Sequence, residues 1–270
     1  MLDELCRKNH RKAAEIFNPL KNHAAVGSIL TGLTDSRVFV DDRNHPRCAL
    51  TWTKSRIYLS GEIGEDVQRA AATIREKIKY DGTRRGAKHF ILYHDAGTPL
   101  TDLLQHLDHV KAHPDTRNYY QLDVTNRELS EASVDGYRLE AIDRRFMNSG
   151  YRNLDKVREE MCSERSSVEE FLEKSVGVCS VKGDEVAAWC MSEYNHGHRY
   201  EIGIATLEKH RRKGLATATG DALIKRCLCR GFSHAGWHCW KRNTSSNRTA
   251  RRLGLSLVES YPVYILEAEG

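Results

Sequence analysis

Hydrophobic and polar residues alternate with two different periods along the second half of the chain, and they predict a regular series of strands and helices. Strands are predicted where apolar residues recur at every second position or form a short run: 136–142, 176–181, 186–194, 199–206, 234–240, 255–260 and 263–266. Helices are predicted where the spacing is three and four residues: 154–175 with a break near 163–167, 214–230, and 244–253.

The first half has weaker patterns. They predict strands over 38–41, 49–60 and 89–94, helices over 65–79 and 99–112, and a loop at 113–115. A polar run from Asn126 to Ser133 predicts a boundary between an α/β domain, 1–130, and a second domain, 131–270. The strand–helix order of the first domain is consistent with a degenerate copy of the second, without a phosphate loop. Two roles are considered for the first domain: it shapes a substrate site, or it only stabilises the protein.

Composition narrows the class of protein. With 270 residues, 40% hydrophobic and 29% charged, the chain suits a globular protein of two domains rather than a disordered one. Its net charge of +5 comes without the basic stripe typical of nucleic-acid-binding proteins, and no apolar run has the length of a membrane span. An amphipathic helix predicted at the N-terminus lacks the apolar core of a secretion signal, so we expect a cytoplasmic protein. Eight cysteines without a CxxC pair, and thirteen histidines without ligand spacing, predict no metal site.

One segment, from Glu201 to Ala216, concentrates the chemistry. It predicts a strand that enters a basic turn, Arg211-x-x-Gly214-x-Ala216, and then a helix. The first amides of a helix lack partners within the helix and lie at the positive end of its dipole. This order of elements therefore predicts an anion site suited to a pyrophosphate.

The segment resembles the acetyl-CoA signature of the GNAT N-acetyltransferase superfamily. The resemblance extends from about Gly136 to the C-terminus, because the predicted element order matches that fold. A second block, Asn243-x-x-Ser246-x-x-x-Ala250-x-x-Leu253-Gly254-Leu255, resembles the segment that closes the cofactor cleft in these enzymes. The resemblance implies an α/β (α+β) GNAT fold, with a mixed, mostly antiparallel sheet flanked by helices, and acetyl-CoA as cosubstrate.

It also implies roles for particular residues. The pyrophosphate is expected on the turn and the helix start: Arg211, Arg212, Lys213, Gly214, Leu215, Ala216 and Thr217. The pantetheine arm is expected along the main chain of Ile204 and Thr206. Asn243 and Ser246 are candidates for contacts with the pantetheine or adenosine, and helix capping is the alternative for both.

The catalytic residues are less well determined. Glu201 is the candidate general base, although the five positions between it and Thr206 place them on opposite faces of a flat strand unless a bulge intervenes. The alternative is a structural carboxylate paired with an arginine such as Arg199, and Glu193 and Tyr194 are reserve candidates. Many superfamily members have a tyrosine at the position of Ala250 that protonates the leaving thiolate. Tyr264, or else Tyr261, is the candidate replacement, unless the thiolate leaves unassisted.

The C-terminal pattern as a whole resembles a bacterial subgroup with an extra N-terminal domain. The subgroup includes self-resistance enzymes that acetylate amine-rich antibiotics of the zwittermicin and paenilamicin kind. The resemblance thus implies an N-acetyltransferase whose partner is a small-molecule or peptide amine, and neither nucleic acid nor membrane. A protein lysine or N-terminal acetyltransferase, and a non-catalytic acetyl-CoA sensor, are the alternatives.

Overall fold

A computed structural model describes residues 1–98, 100–125 and 133–268, and the chain divides into two compact units. Unit 1 comprises Met1–Arg117 together with Tyr261–Gly270, and unit 2 comprises Asn118–Ser260. The boundary predicted from the polar run, between residues 130 and 131, lies outside the described residues.

Unit 1 is built on a mixed sheet. Its strands are β1 (Asp3–Leu5), β2 (Val38–Val40), β3 (Cys48–Thr53), β4 (Arg56–Gly61) and β5 (His89–His94), and its helices are α1 (Ala24–Leu30), α2 (Val67–Arg85) and α3 (Thr101–Gln105). Strands β1 to β4 pair antiparallel in sequence order, and β4 pairs parallel with β5 across helix α2. The apolar sides of α2 and α3 pack with the sheet residues in one buried cluster.

Two strands contain the points at which the chain passes between the units. Strand β6 (Val110–Asp123) starts in unit 1, and the last strand of the chain, β12 (Ser256–Ala268), ends in it. Residues Val263–Glu267 of β12 pair antiparallel with β5.

Unit 2 contains the remaining elements: strands β7 (Arg138–Ala141), β8 (Gly177–Lys182), β9 (Glu185–His196), β10 (Arg199–Thr206) and β11 (His234–Trp240), and helices α4 (Arg144–Met147), α5 (Leu154–Glu164), α6 (Val168–Lys174), α7 (Leu215–Cys229) and α8 (Thr244–Arg252). Strands β7 to β10 pair antiparallel in sequence order, and β10 pairs parallel with β11 across α7. One cluster packs α7 and α8 against the sheet, and another packs α5 and α6 against β8 and β9.

The two units share a local topology. In each, antiparallel strands lead to a strand, a short 3-10 turn, a long helix and a parallel strand: β4–α2–β5 and β10–α7–β11. The turn before α2 contains Glu65 and Asp66, whereas the turn before α7 leads into Arg211, Arg212 and Lys213. Carboxylates repel an anionic ligand, so the turn before α2 does not suit a phosphate, and a GNAT-like origin of unit 1 stays a prediction.

Several sequence predictions of elements are wrong. The single strand predicted over 49–60 is two strands, β3 and β4, joined by a turn at 54–55. The two closing strands around Pro262 are one strand, β12. The helix predicted over 99–112 ends at Gln105, because His109 has a φ of +62° and Val110 begins β6, which also includes the predicted loop at 113–115. The N-terminal segment forms β1 and a 3-10 helix, Arg7–Ala13, instead of an amphipathic α-helix. Within the ranges the structure describes, we find no helix long and apolar enough to cross a membrane.

Candidate active site

An opening separates the two parallel strands of unit 2. Residues Arg199–Glu201 of β10 pair with His234–Gly236 of β11. Beyond that point, β10 stays paired with β9 as far as Thr206, whereas the described residues show no further ladder pairs between β10 and β11. Ile204 and Thr206, both partly exposed, lie on this separated part of β10. Their main-chain groups on the β11 side therefore face a gap in which an extended ligand can pair as a strand does.

The basic turn follows directly at the end of β10. Arg211 donates from Nε to the carbonyl oxygen of Thr206 at 3.2 Å, and Lys213 Nζ lies 3.4 Å from the Tyr137 hydroxyl. Arg212 and Gly214 have φ values of +61° and +83°, so the backbone is left-handed twice within three residues. Such a conformation is uncommon for a non-glycine residue, so this turn has an unusual backbone shape.

Helix α7 begins immediately after this turn. Gly214 is its N-cap and has no side chain to accept from the helix amides. Leu215 is buried and anchors the first turn, whereas Ala216 and Thr217 are partly exposed. The amides at this helix start are thus left to an outside acceptor, and the turn places two arginines and a lysine beside them.

Asn243 and Ser246 both lie at the start of helix α8. Asn243 Oδ1 accepts from the backbone amide of Ser246 at 3.1 Å and from the Ser245 hydroxyl at 2.8 Å, so it is the N-cap. The Ser246 hydroxyl accepts from Trp237 Nε1 at 3.1 Å. The capping alternative is therefore confirmed for Asn243. Contacts of either residue with a cofactor stay a prediction.

Glu201 is buried at the point where β10 and β11 separate. Its side chain is 5% exposed, and its Oε1 lies 3.7 Å from Nε2 of His238, whose side chain is 7% exposed. The register between β9 and β10 shifts at Glu201, because Tyr200 pairs with Asn195 and Ile202 with Ser192. The extra residue therefore belongs to β9, not to β10, and it leaves the alternation along β10 unchanged.

Glu201 and Thr206 thus keep opposite faces of β10. This does not separate the candidate base from the candidate cofactor groove, since a strand-like ligand bonds to main-chain groups at the strand edge, and those groups lie in the plane of the sheet.

The His238 imidazole has an aromatic neighbour, Tyr119 of β6. It stacks on His238 with centroids 4.6 Å apart, and its hydroxyl accepts from Arg199 Nη2 at 2.9 Å. Burial raises the pKa of Tyr119, and the Arg199 guanidinium opposes the shift only in part. Gly236 leaves the space for this ring, because a Cβ there would lie 3.3 Å from Tyr119 Cε2.

The reserve candidates lie on β9 beside the register shift. The Glu193 carboxylate lies over Gly203, so closely that a Cβ on Gly203 would overlap the carboxylate. Because Gly203 and Glu201 are two positions apart on β10, Glu193 and Glu201 lie on the same face of the sheet. The Tyr194 hydroxyl donates to Glu164, and Tyr194 is fully buried. This contact favours a structural role for Tyr194 and leaves Glu193 as the reserve base.

Tyr264 is the candidate proton donor to the leaving thiolate, and Ala250 occupies the position where many related enzymes have a tyrosine in that role. Tyr264 belongs to unit 1, where it is opposite Leu92 of β5 and packs against that unit's core. Its ring lies 5.9 Å from His94. Ala250 is 0% exposed within the cluster that holds α7 and α8. The structure brings Glu201 together with His238 and Tyr119 in unit 2, and the catalytic role of Tyr264 stays a prediction.

Sequence reasoning missed His238 and Tyr119. The only local signal for His238 is a polar residue within the mostly buried strand β11. Its proximity to Glu201 follows from the parallel register, which no local pattern contains.

A sheet opened between two parallel strands, with a basic turn and a helix start at its end, is the arrangement of the GNAT fold. The GNAT acetyltransferase family model matches residues 14–264, and the chain belongs to this family. The match therefore also covers most of the first half of the chain, whereas the sequence resemblance begins at about Gly136. Members of the family generally use acetyl-CoA and act on small-molecule or peptide amines.

Individual relatives agree with this assignment. The chain is 26% identical over 270 residues to an uncharacterized N-acetyltransferase, YdfB, of Bacillus subtilis, with 98% of both chains covered. Among solved structures it is similar to a GCN5-related N-acetyltransferase-like protein of Streptococcus suis (TM-score 0.72, 21% identity, 96% of this chain and 99% of that chain). It is also similar to a tandem GNAT protein from the clavulanic acid biosynthesis pathway (TM-score 0.59, 11% identity, 99% and 98%). At these identities the solved structures bear on the fold alone.

Proposed function

We propose that this protein transfers the acetyl group of acetyl-CoA to a primary amine of a small molecule or peptide. The observation that carries the proposal is the opening between β10 and β11, which ends at the basic turn before α7. In this proposal the pantetheine arm pairs with the main chain of Ile204 and Thr206. The pyrophosphate bonds to the amides from Arg212 to Thr217.

Glu201 is the proposed general base. It lies at the last paired position of β10, so a pantetheine arm whose pyrophosphate lies beyond Thr206 has its thioester end directed towards Glu201. A general base must reach the proton that it accepts. The carboxylate takes a proton from the attacking amine, directly or through a water molecule.

The proposed acceptor is an amine-rich antibiotic, and the proposed role is self-resistance. Support comes from the resemblance of the C-terminal sequence pattern to self-resistance enzymes of this kind. We also propose that domain 1–130 is a GNAT-like copy without a cofactor, since unit 1 repeats the strand–turn–helix–strand order with an acidic turn. The proposed location is the cytoplasm, where buried free cysteines stay reduced.

The test is a panel of acceptors at a fixed acetyl-CoA concentration. The panel contains polyamine-like antibiotics, simple diamines, and peptides with a lysine or a free N-terminus, and thiol release and product mass are both measured. Acetylated antibiotic with unmodified peptides is the expected result. Acetylated peptides alone would assign the protein to the lysine or N-terminal class. Acetyl-CoA binding with no thiol release from any amine would refute the proposal and favour a sensor.

A further inference from the structure

We propose that His238 is the proton donor of the reaction: it protonates the leaving thiolate of CoA while Glu201 accepts the proton of the amine. The inference rests on the proposed function and assigns a second catalytic residue to the same site.

The position at which many related enzymes have their proton donor does not supply one in this chain. Ala250 replaces the tyrosine found in many related enzymes, and a methyl group has no proton to give. Ala250 is also fully buried against Leu253 and the rest of its cluster, so it is part of the packing between α8 and the sheet. Any proton donor to the thiolate therefore comes from another element.

His238 is placed where the thioester is expected. It lies on β11, two residues beyond Gly236, and Gly236 is opposite Glu201 at the last paired position. The two side chains thus extend from the two strands that diverge at this point. Because the pyrophosphate site lies at the far end of β10, a bound donor points its thioester back to the place where these strands meet.

The neighbours of His238 fix its ring. Tyr119 stacks on one side of the imidazole at 4.6 Å with an interplanar angle of 24°, and Arg199 holds the Tyr119 hydroxyl. The ring then presents Nε2 to Glu201 Oε1 at 3.7 Å. An acid catalyst requires the imidazolium form, and the Glu201 carboxylate is the anion that faces Nε2 within this buried pair.

The proton balance closes within the pair. The amine nitrogen forms a bond to the thioester carbonyl carbon, and its proton goes to Glu201. The carbon–sulfur bond then breaks, and the sulfur takes a proton from His238. The products are the acetamide and CoA as a free thiol. Passage of the proton from Glu201 to His238 restores the carboxylate and the imidazolium for the next turnover.

A double-mutant cycle tests whether the two residues act as one unit. Glu201→Gln, His238→Gln and the double variant are compared by kcat with acetyl-CoA, and acetyl-CoA affinity is measured by calorimetry. We expect each single variant to lose about 10²-fold in kcat at unchanged affinity, and the double variant to lose little more than either. Losses that multiply to about 10⁴-fold would overturn the proposal, because independent residues behave in that way.

A change of leaving group separates a donor from a merely positioning residue. With 4-nitrophenyl acetate, whose phenolate leaves without a proton, the loss in His238→Gln should shrink to a few-fold, whereas the loss in Glu201→Gln should persist. Equal losses of His238→Gln with both donors would overturn the assignment. So would a leaving-group-dependent loss in Tyr264→Phe, which would make that tyrosine the acid.

His234→Gln is the matched control. His234 lies on the same strand and is also 3.7 Å from a carboxylate, that of Asp123, but its side chain is 36% exposed and it precedes the opening. It should keep the wild-type rate. If His238→Gln does not fold, His238→Asn takes its place in the same measurements. A wild-type protein that acetylates no amine refutes the proposed function itself, whereas an active wild type with an active His238→Gln refutes this inference alone.

Discussion

Replacing Gly214 by aspartate should weaken acetyl-CoA binding through charge, and Gly214→Asn is the control that isolates the charge. A Cβ at Gly214 meets nothing within 4 Å, so either side chain fits without a clash. Both residues carry the strain of a φ of +83°, about 1 kcal/mol or somewhat more, and both tolerate it better than other residues do. The two variants therefore differ only in one negative charge at the N-cap of α7.

The size of the effect follows from the site. A carboxylate about 5 Å from one phosphate charge costs about 1 kcal/mol at the dielectric constant of water, and about 3 kcal/mol at the lower value effective near a protein surface. We therefore expect Gly214→Asp to bind acetyl-CoA about tenfold more weakly than Gly214→Asn, and the ratio to shrink in 1 M salt. The same charge should leave α7 unharmed, because aspartate is a favourable N-cap and interacts well with the helix dipole.

Stability and affinity should thus change in opposite directions. Calorimetric titration with acetyl-CoA at low and high salt gives the affinity ratio, and thermal unfolding without ligand gives the stability. Equal affinities of the two variants at low salt would show that no phosphate lies near the start of α7. A lower melting temperature for Gly214→Asp than for Gly214→Asn would contradict the helix-dipole argument.

Three further predictions concern the candidate base Glu201, the carboxylate of Glu170 in the first turn of α6, and unit 1. Glu201→Gln should lower kcat by roughly 10²-fold or more at unchanged acetyl-CoA affinity, and the loss should shrink at high pH; a near-normal rate at neutral pH would remove Glu201 from the mechanism. Burial acts to raise the pKa of Glu170, but hydrogen bonds from Ser166 and Lys174 outweigh it and lower the pKa from 4.5 to about 2. The ionised Glu170 therefore stabilises the folded protein fully above pH 4.5, and this stabilisation is lost as the pH falls through 2. Because solvent screening reduces it to ~1 kcal/mol, the melting temperature of Glu170→Gln should be about 2–4 °C below that of the wild type at neutral pH. Below pH 2 the two melting temperatures should be equal. Titration should give one acetyl-CoA per chain, because the turn before α2 is acidic; a second site would contradict this reading of unit 1.

Local patterns were sufficient for the elements that frame the site. The bounds predicted for β10 and β11 are those observed, because apolar residues recur at every second position along most of each strand and glycine or polar turns limit both. The basic turn and the start of α7 were predictable for the same reason, since they are contiguous in the sequence. The helix predicted over 99–112 ran too long because apolar spacing does not show the positive φ of His109.

Residues brought together by register were not predictable. The Glu201–His238 pair joins positions 37 apart in the sequence, and it depends on Glu201 lying opposite Gly236 in the parallel ladder. The sequence left open a bulge near Glu201, but it could not show that one exists or which strand carries the extra residue. Both features are set by pairing between strands, whereas periodicity reports on one strand at a time.

Unit 1 is discontinuous in the sequence, and this limits how the gene can be rearranged. Residues 118–260 are inserted between its two parts, and the returning segment supplies the strand that pairs with β5 and the core residue Leu266. A fragment that ends before residue 261 would expose one edge of β5 and part of that core. Recombination at a single breakpoint therefore cannot transfer either unit intact to another gene. The two units are expected to be inherited together, and exchange of unit 2 alone requires two crossovers, near positions 117 and 261.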